Sequence, residues 1–105
     1  MKVEKRFYQS VPASTEVFSD YVVPDGERIR LDEMGGNGAL LDDVMIRIVR
    51  DPSGDNEVLV STHGDTVQSS SMDIFGDGVK VVRIILTNNS NVSQSIGAYF
   101  TGSQG

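Results

Sequence analysis

Apolar and polar residues alternate along this chain in short stretches, and Gly, Asp, Asn and Pro cut the stretches at close intervals. The cuts fall at Pro24-Asp25-Gly26, Gly35-Gly36-Asn37-Gly38, Asp51-Pro52-Ser53-Gly54, His63-Gly64-Asp65, Gly76-Asp77-Gly78 and Asn88-Asn89-Ser90-Asn91. A period of two broken by turn residues predicts strands joined by tight connections. Residues 15–23 put Val17, Ser19, Tyr21 and Val23 on one face, with Phe18, Asp20 and Val22 on the other. Residues 27–34 put Ile29 and Leu31 inward and Arg28, Arg30 and Asp32 outward, the mark of a half-buried strand. Strands are also predicted over 3–9, 44–50, 57–62, 66–75 and 92–101.

Residues 79–87 are apolar on nearly both faces, with Val79, Val81, Val82, Ile84, Ile85 and Leu86. That predicts a central strand covered on both sides, or one whose outer face meets a partner. Gly35 to Gly38 predicts a flexible loop or a bulge, because three glycines in four residues resist regular structure. Residues 39–43 fit either one helical turn or an extended lead-in. The sum is an all-β antiparallel β-sandwich of about eight strands, two four-stranded sheets of jelly-roll type. The 105 residues suit one domain. It is expected to span 15–101, preceded by an N-terminal arm or edge strand over 1–14, which Pro12 interrupts, and followed by a loose tail over 102–105.

Charge adds a second layer. The chain carries a net −6. Residues 1–10 hold Lys2, Lys5 and Arg6 against Glu4, a net +2, which leaves −8 on the remainder. An acidic body argues against a nucleic-acid partner, since phosphate neutralisation needs a basic face. A basic arm can bind an acidic neighbour or fold back on its own body. No stretch approaches a membrane span, and the polar start lacks a signal core, so a soluble protein made in the cytoplasm is expected, with no membrane partner. The absence of Cys excludes disulfides and thiolate metal sites.

Candidate chemistry is sparse. The one histidine, His63, sits in a predicted turn, and no Gly-x-Ser-x-Gly elbow occurs, although Ser69, Ser70 and Ser71 follow closely. Acid pairs occur at Asp42 with Asp43, at Asp51 with Asp55 and Glu57, and at Asp73 with Asp77. They stand at strand ends and turns, where Asp bonds its own backbone. Residues 51–57 depart from the EF-hand pattern: Asn56 stands where Gly is required and Thr62 where the bidentate Glu belongs. Asn88-Asn89-Ser90 and Asn91-Val92-Ser93 match the glycosylation acceptor, but a polar turn explains them. No catalytic residue, metal or cofactor is expected. Sugar recognition would use exposed rings; there is no Trp, and the tyrosines are Tyr8, Tyr21 and Tyr99. Phe7, Phe18, Phe75 and Phe100 read as core or interface residues.

Residues 18–31, Phe-Ser-Asp-Tyr-Val-Val-Pro-Asp-Gly-Glu-Arg-Ile-Arg-Leu, and residues 75–89, Phe-Gly-Asp-Gly-Val-Lys-Val-Val-Arg-Ile-Ile-Leu-Thr-Asn-Asn, together resemble small jelly-roll virion structural proteins of tailed bacteriophages, of the capsid decoration or cement type. The likeness covers about residues 15–101 and carries over no catalytic residue. It implies a non-enzymatic protein of the virion that decorates or stabilises the capsid by binding the major capsid protein or another virion protein, as a homotrimer. The arm is then expected to meet a neighbouring subunit through Lys2, Lys5, Arg6, Phe7 and Tyr8, by strand addition or charge. Its removal is expected to leave the sandwich folded. The alternative is a carbohydrate- or host-surface-binding sandwich module of a head fibre or tail.

Overall fold

A computed structural model of the chain describes residues 1–37, 43–51, 57–62 and 66–105. The described residues form eight strands and no helix: β1 (Lys2–Val11), β2 (Thr15–Val22), β3 (Arg28–Asn37), β4 (Val44–Asp51), β5 (Glu57–Thr62), β6 (Thr66–Phe75), β7 (Val81–Asn88) and β8 (Gln94–Gln104). They build two four-stranded antiparallel sheets, one in the order β1-β8-β3-β6 and the other in the order β2-β7-β4-β5. The first strand pairs with the last, the second with the seventh, the third with the sixth and the fourth with the fifth. Of the successive strands, only β4 and β5 are neighbours in one sheet; every other step along the chain changes sheet.

The β-sandwich closes on the inward half of each alternation. Val3 and Val11 of β1, Ile29, Leu31 and Met34 of β3, Ile74 of β6 and Ile96, Ala98 and Phe100 of β8 face Val44, Ile46 and Ile48 of β4 and Val82, Ile84 and Leu86 of β7 in one buried cluster. Phe7, Val17, Tyr21 and Leu59 pack against its margin. Tyr21 meets Phe100 edge to face at 6.0 Å. Full burial of such side chains is worth about 1.5–3 kcal/mol each, so the alternation itself sets which way every strand faces.

β7 runs centrally between β2 and β4. Its outward residues are Val81, Arg83, Ile85 and Thr87, of which Val81 is buried. The Pro24-Asp25-Gly26 turn is present, with Gly26 at φ +79°, and Glu27 N–H donates to the Pro24 carbonyl. That left-handed φ is what Gly permits at low cost.

Two expectations change. Gly35 and Gly36 are not a loop: both are buried within β3 and pair with β6 and β8. A Cβ on Gly36 would stand 2.7 Å from the Gly97 carbonyl oxygen and 2.9 Å from Ile46 Cδ1, so the missing side chain is space the core already fills. The irregularity in β3 lies earlier, between Leu31 and Glu33. The second change is at the end of β8, which runs to Gln104 where a loose tail was expected. Gln104 N–H donates to the Met1 carbonyl (2.7 Å), and Arg28 and Gly105 exchange backbone bonds of 3.1 and 2.9 Å. The Gln104 side chain accepts from the Tyr21 hydroxyl and donates to Glu27, which makes this end part of the sandwich rim. Residues 38–42, where a helical turn or lead-in was expected, lie outside the described residues, as do 52–56 and 63–65.

Candidate functional site

With the interior accounted for, the two outer faces and the rim are the surfaces the described residues offer. The outer face of the β1-β8-β3-β6 sheet is built in rows across the strands. Arg6, Tyr99 and Gly35 form one row, and Tyr8, Gly97 and Asn37 form the next. The Arg6 guanidinium pairs with Glu4 and lies 5.4 Å from the centre of the Tyr99 ring. Tyr99 donates its hydroxyl to Glu33 Oε1 at 3.1 Å. Loss of hydration raises the Tyr99 hydroxyl above its ordinary value of 10.0, and the bond to Glu33 adds to that rise. The hydrogen bond and charge of Glu4 favour the charged guanidinium of Arg6, raising it above its ordinary value.

In the next row Tyr8 lies over Gly97. A Cβ on Gly97 would fall 1.8 Å from Tyr8 Cδ2 and 2.3 Å from Cε2 and Cγ, so the ring occupies that volume. Tyr8 nevertheless stays 46% exposed. Beside it, Tyr8, Gln9, Ser10, Asn37, Ser95 and Ile96 line an open depression of about 280 Å³.

The outer face of the β2-β7-β4-β5 sheet differs in kind. Phe18 is 58% exposed, Val22 49% and Val58 51%. Phe18 faces Ile85 across β2 and β7, and Val58 faces Val49 across β5 and β4. Ion pairs interrupt this apolar surface. Arg83 holds Asp20 through two bonds (2.6 and 3.0 Å) with its guanidinium 4.3 Å from the Phe18 ring centre. Arg47 and Thr87 both donate to Glu16 Oε2, at 2.9 and 2.8 Å. Partly apolar and with these charges already paired, the surface offers contact area without a charge left to neutralise across these pairs.

The rim between β7 and β8 is held by Asn88, which is fully buried. Its Nδ2 donates to the carbonyls of Val11 (3.0 Å), Pro12 (3.2 Å) and Val92 (2.9 Å), and its Oδ1 accepts from Ser90 N–H (2.9 Å) and Oγ (2.6 Å). The residue therefore ties the β1–β2 connection to the β7–β8 connection, and its amide has no room for a glycan. Asn91, of the second acceptor sequence, is exposed.

The five residues expected to meet a partner occupy one edge strand but not one surface. Lys2, Arg6 and Tyr8 point to the outer face, whereas Lys5 and Phe7 alternate inward, and Phe7 packs against the core. Val3 and Val11 of the same strand are buried in that core. Of the arm or edge strand expected over 1–14, the structure shows an edge strand over Lys2–Val11. Among the tyrosines, Tyr21 is engaged inside the rim and Tyr99 lies beneath Arg6; Tyr8 is the open ring.

Of the acidic pairs, Asp73 and Asp77 are used locally. Asp73 stands 3.7 Å from Arg30 Nε and 4.0 Å from Arg28. Asp77 accepts from the N–H groups of Val79 (2.8 Å) and Lys80 (2.7 Å), bonds that lower its carboxyl below the ordinary 3.8. Among the described residues no three His, Asp or Glu side chains gather as a metal site. His63, Asp42 and Asp55, and the carboxylates of Asp51 and Glu57, fall outside the described set. Comparison of the chain with protein-family models and with curated proteins finds no match to either.

Proposed function

We propose that this protein is a non-enzymatic structural component of a bacteriophage particle, which decorates or stabilises the capsid by binding the major capsid protein. The observation that carries the reading is the strand order. Nested pairs, first with last and inward to the fourth with the fifth, support a long hairpin rolled into a jelly roll, an architecture used for viral shells and lectins. The resemblance of residues 18–31 and 75–89 to small virion proteins points the same way. The apolar outer face of the β2-β7-β4-β5 sheet, with Phe18, Val22 and Val58, supplies the attachment surface. The outer edge of β1, with Lys2 and Lys5 along it, meets a neighbouring copy in a homotrimer by strand addition or charge.

The test is quantitative mass spectrometry of density-banded particles from the source culture. The wild-type protein is expected at a fixed ratio to the major capsid protein, in high salt and with chelator. A Phe18→Ser/Val22→Ser variant is expected to fold and yet be missing from the band. Absence of the wild-type protein from banded particles overturns the reading.

A further inference from the structure

The depression beside Tyr8 has the make-up of a ligand site rather than of a packing defect. Tyr8 and Asn37, which flank Gly97 in one row across the sheet, both line it, and the glycine lets the Tyr8 ring settle against the sheet while nearly half of the residue stays open to solvent. Ser10 and Ser95 face each other in the following row. The amphipathic ring shares its face with one side-chain amide, from Asn37, and two hydroxyls, from Ser10 and Ser95, while Gln9 and Ile96 belong to the row between, which alternates inward. Among the described residues no charged side chain lines it. Its volume, about 280 Å³, lies at the lower end of small-molecule sites, which run from about 300 to 1,000 Å³.

These properties select among ligand classes. A phosphate or carboxylate ligand would want a basic group in the lining, and the nearest guanidinium described above, Arg6, is already committed to Glu4 and Tyr99. A lipid chain would want an apolar cleft. A neutral sugar ring presents an apolar C–H face for stacking on tyrosine and a rim of hydroxyls for amide and hydroxyl partners.

We infer that this depression binds a neutral hexopyranose, stacked on the outward face of the Tyr8 ring and hydrogen-bonded by Asn37 and Ser95. The depression is open on its solvent side, so one residue of a longer glycan fits as well as a free monosaccharide. The site requires only the described fold and stands or falls separately from capsid attachment.

The test is a two-dimensional amide NMR titration of the full chain with methyl glycosides of glucose, galactose, mannose and N-acetylglucosamine. At least one is expected to shift amides confined to Tyr8–Ser10, Asn37 and Ser95–Gly97. In Tyr8→Ala and Asn37→Ala the affinity for that glycoside is expected to fall at least about tenfold, which is 1.4 kcal/mol. Tyr8→Phe keeps the stacking face and is expected to bind within about threefold of wild type, which controls for folding. No shift with any of the four, shifts centred elsewhere, or equal binding by Tyr8→Ala would each overturn the assignment.

Discussion

Asn88 shows how much one buried amide can organise in a small sandwich. Its five polar contacts span the ends of β1, β7 and β8. Replacing it by alanine strands several backbone and hydroxyl groups away from water, at about 1–3 kcal/mol for each group left unsatisfied. Asn88→Ala is expected to lose about 3 kcal/mol in urea unfolding, with Tm lower by about 10 °C or more. Asp77 makes a prediction of the opposite kind, in pH rather than packing. Its carboxyl titrates below 3.8 in the folded chain because the charged form accepts two backbone N–H bonds. The stability it contributes is therefore complete well above pH 3.8 and is lost as pH falls through the lower, folded value. Asp77→Asn is expected to flatten the acid limb of a stability–pH curve below about pH 4, because the variant lacks at neutral pH the stability that the charged carboxylate supplies and so has none of it to lose in acid. In the sequence, Asn88 and Asp77 look alike, as polar turn residues. Only the positions of Val11 and Pro12, more than seventy residues away, distinguish a buried tie from an exposed turn cap.

At the scale of elements, the eight strands were legible because alternation and turn chemistry are local signals, and the predicted spans differ from the observed ones mainly at their ends. What was not legible depends on partners distant in the chain. Gly36 announces a missing side chain, not that Ile46 and Gly97 fill its space. Gly102 to Gln104 look like a tail until Met1 and Arg28 stand beside them. Tyr8 becomes an open platform only because Gly97 is its cross-strand partner. Gly97→Ala is expected to push the Tyr8 ring off the sheet at about 1–3 kcal/mol, read by chemical unfolding, and to abolish any ligand-induced shift at Tyr8. β1 itself brings Val3 and Val11 into the core and covers the edge of β8. A chain lacking residues 2–14 is thus expected to lose cooperative unfolding, measured by circular dichroism, rather than survive as a trimmed sandwich.

For the whole molecule, the surfaces are unequal. Among the described residues, one outer face carries Phe18, Val22 and Val58 between internal ion pairs, while the other is more polar and carries the open rings of Tyr8 and Phe75. An assembly part that buries one face and displays the other would use that inequality. Native mass spectrometry is expected to give a trimer, and a stable monomer would instead favour a stand-alone recognition module. The nesting of pairs has one more consequence, for synthesis. Of the eight described strands β8 is made last, yet it lies between β1 and β3 in the middle of its sheet. Until it leaves the ribosome, β1 has no hydrogen-bonding neighbour, and the bilayer of strands has a slot where Phe100 belongs. The nascent chain must wait with much of its future interior wet, so the β4–β5 hairpin is the natural first contact and closure of β1 onto β8 the final one.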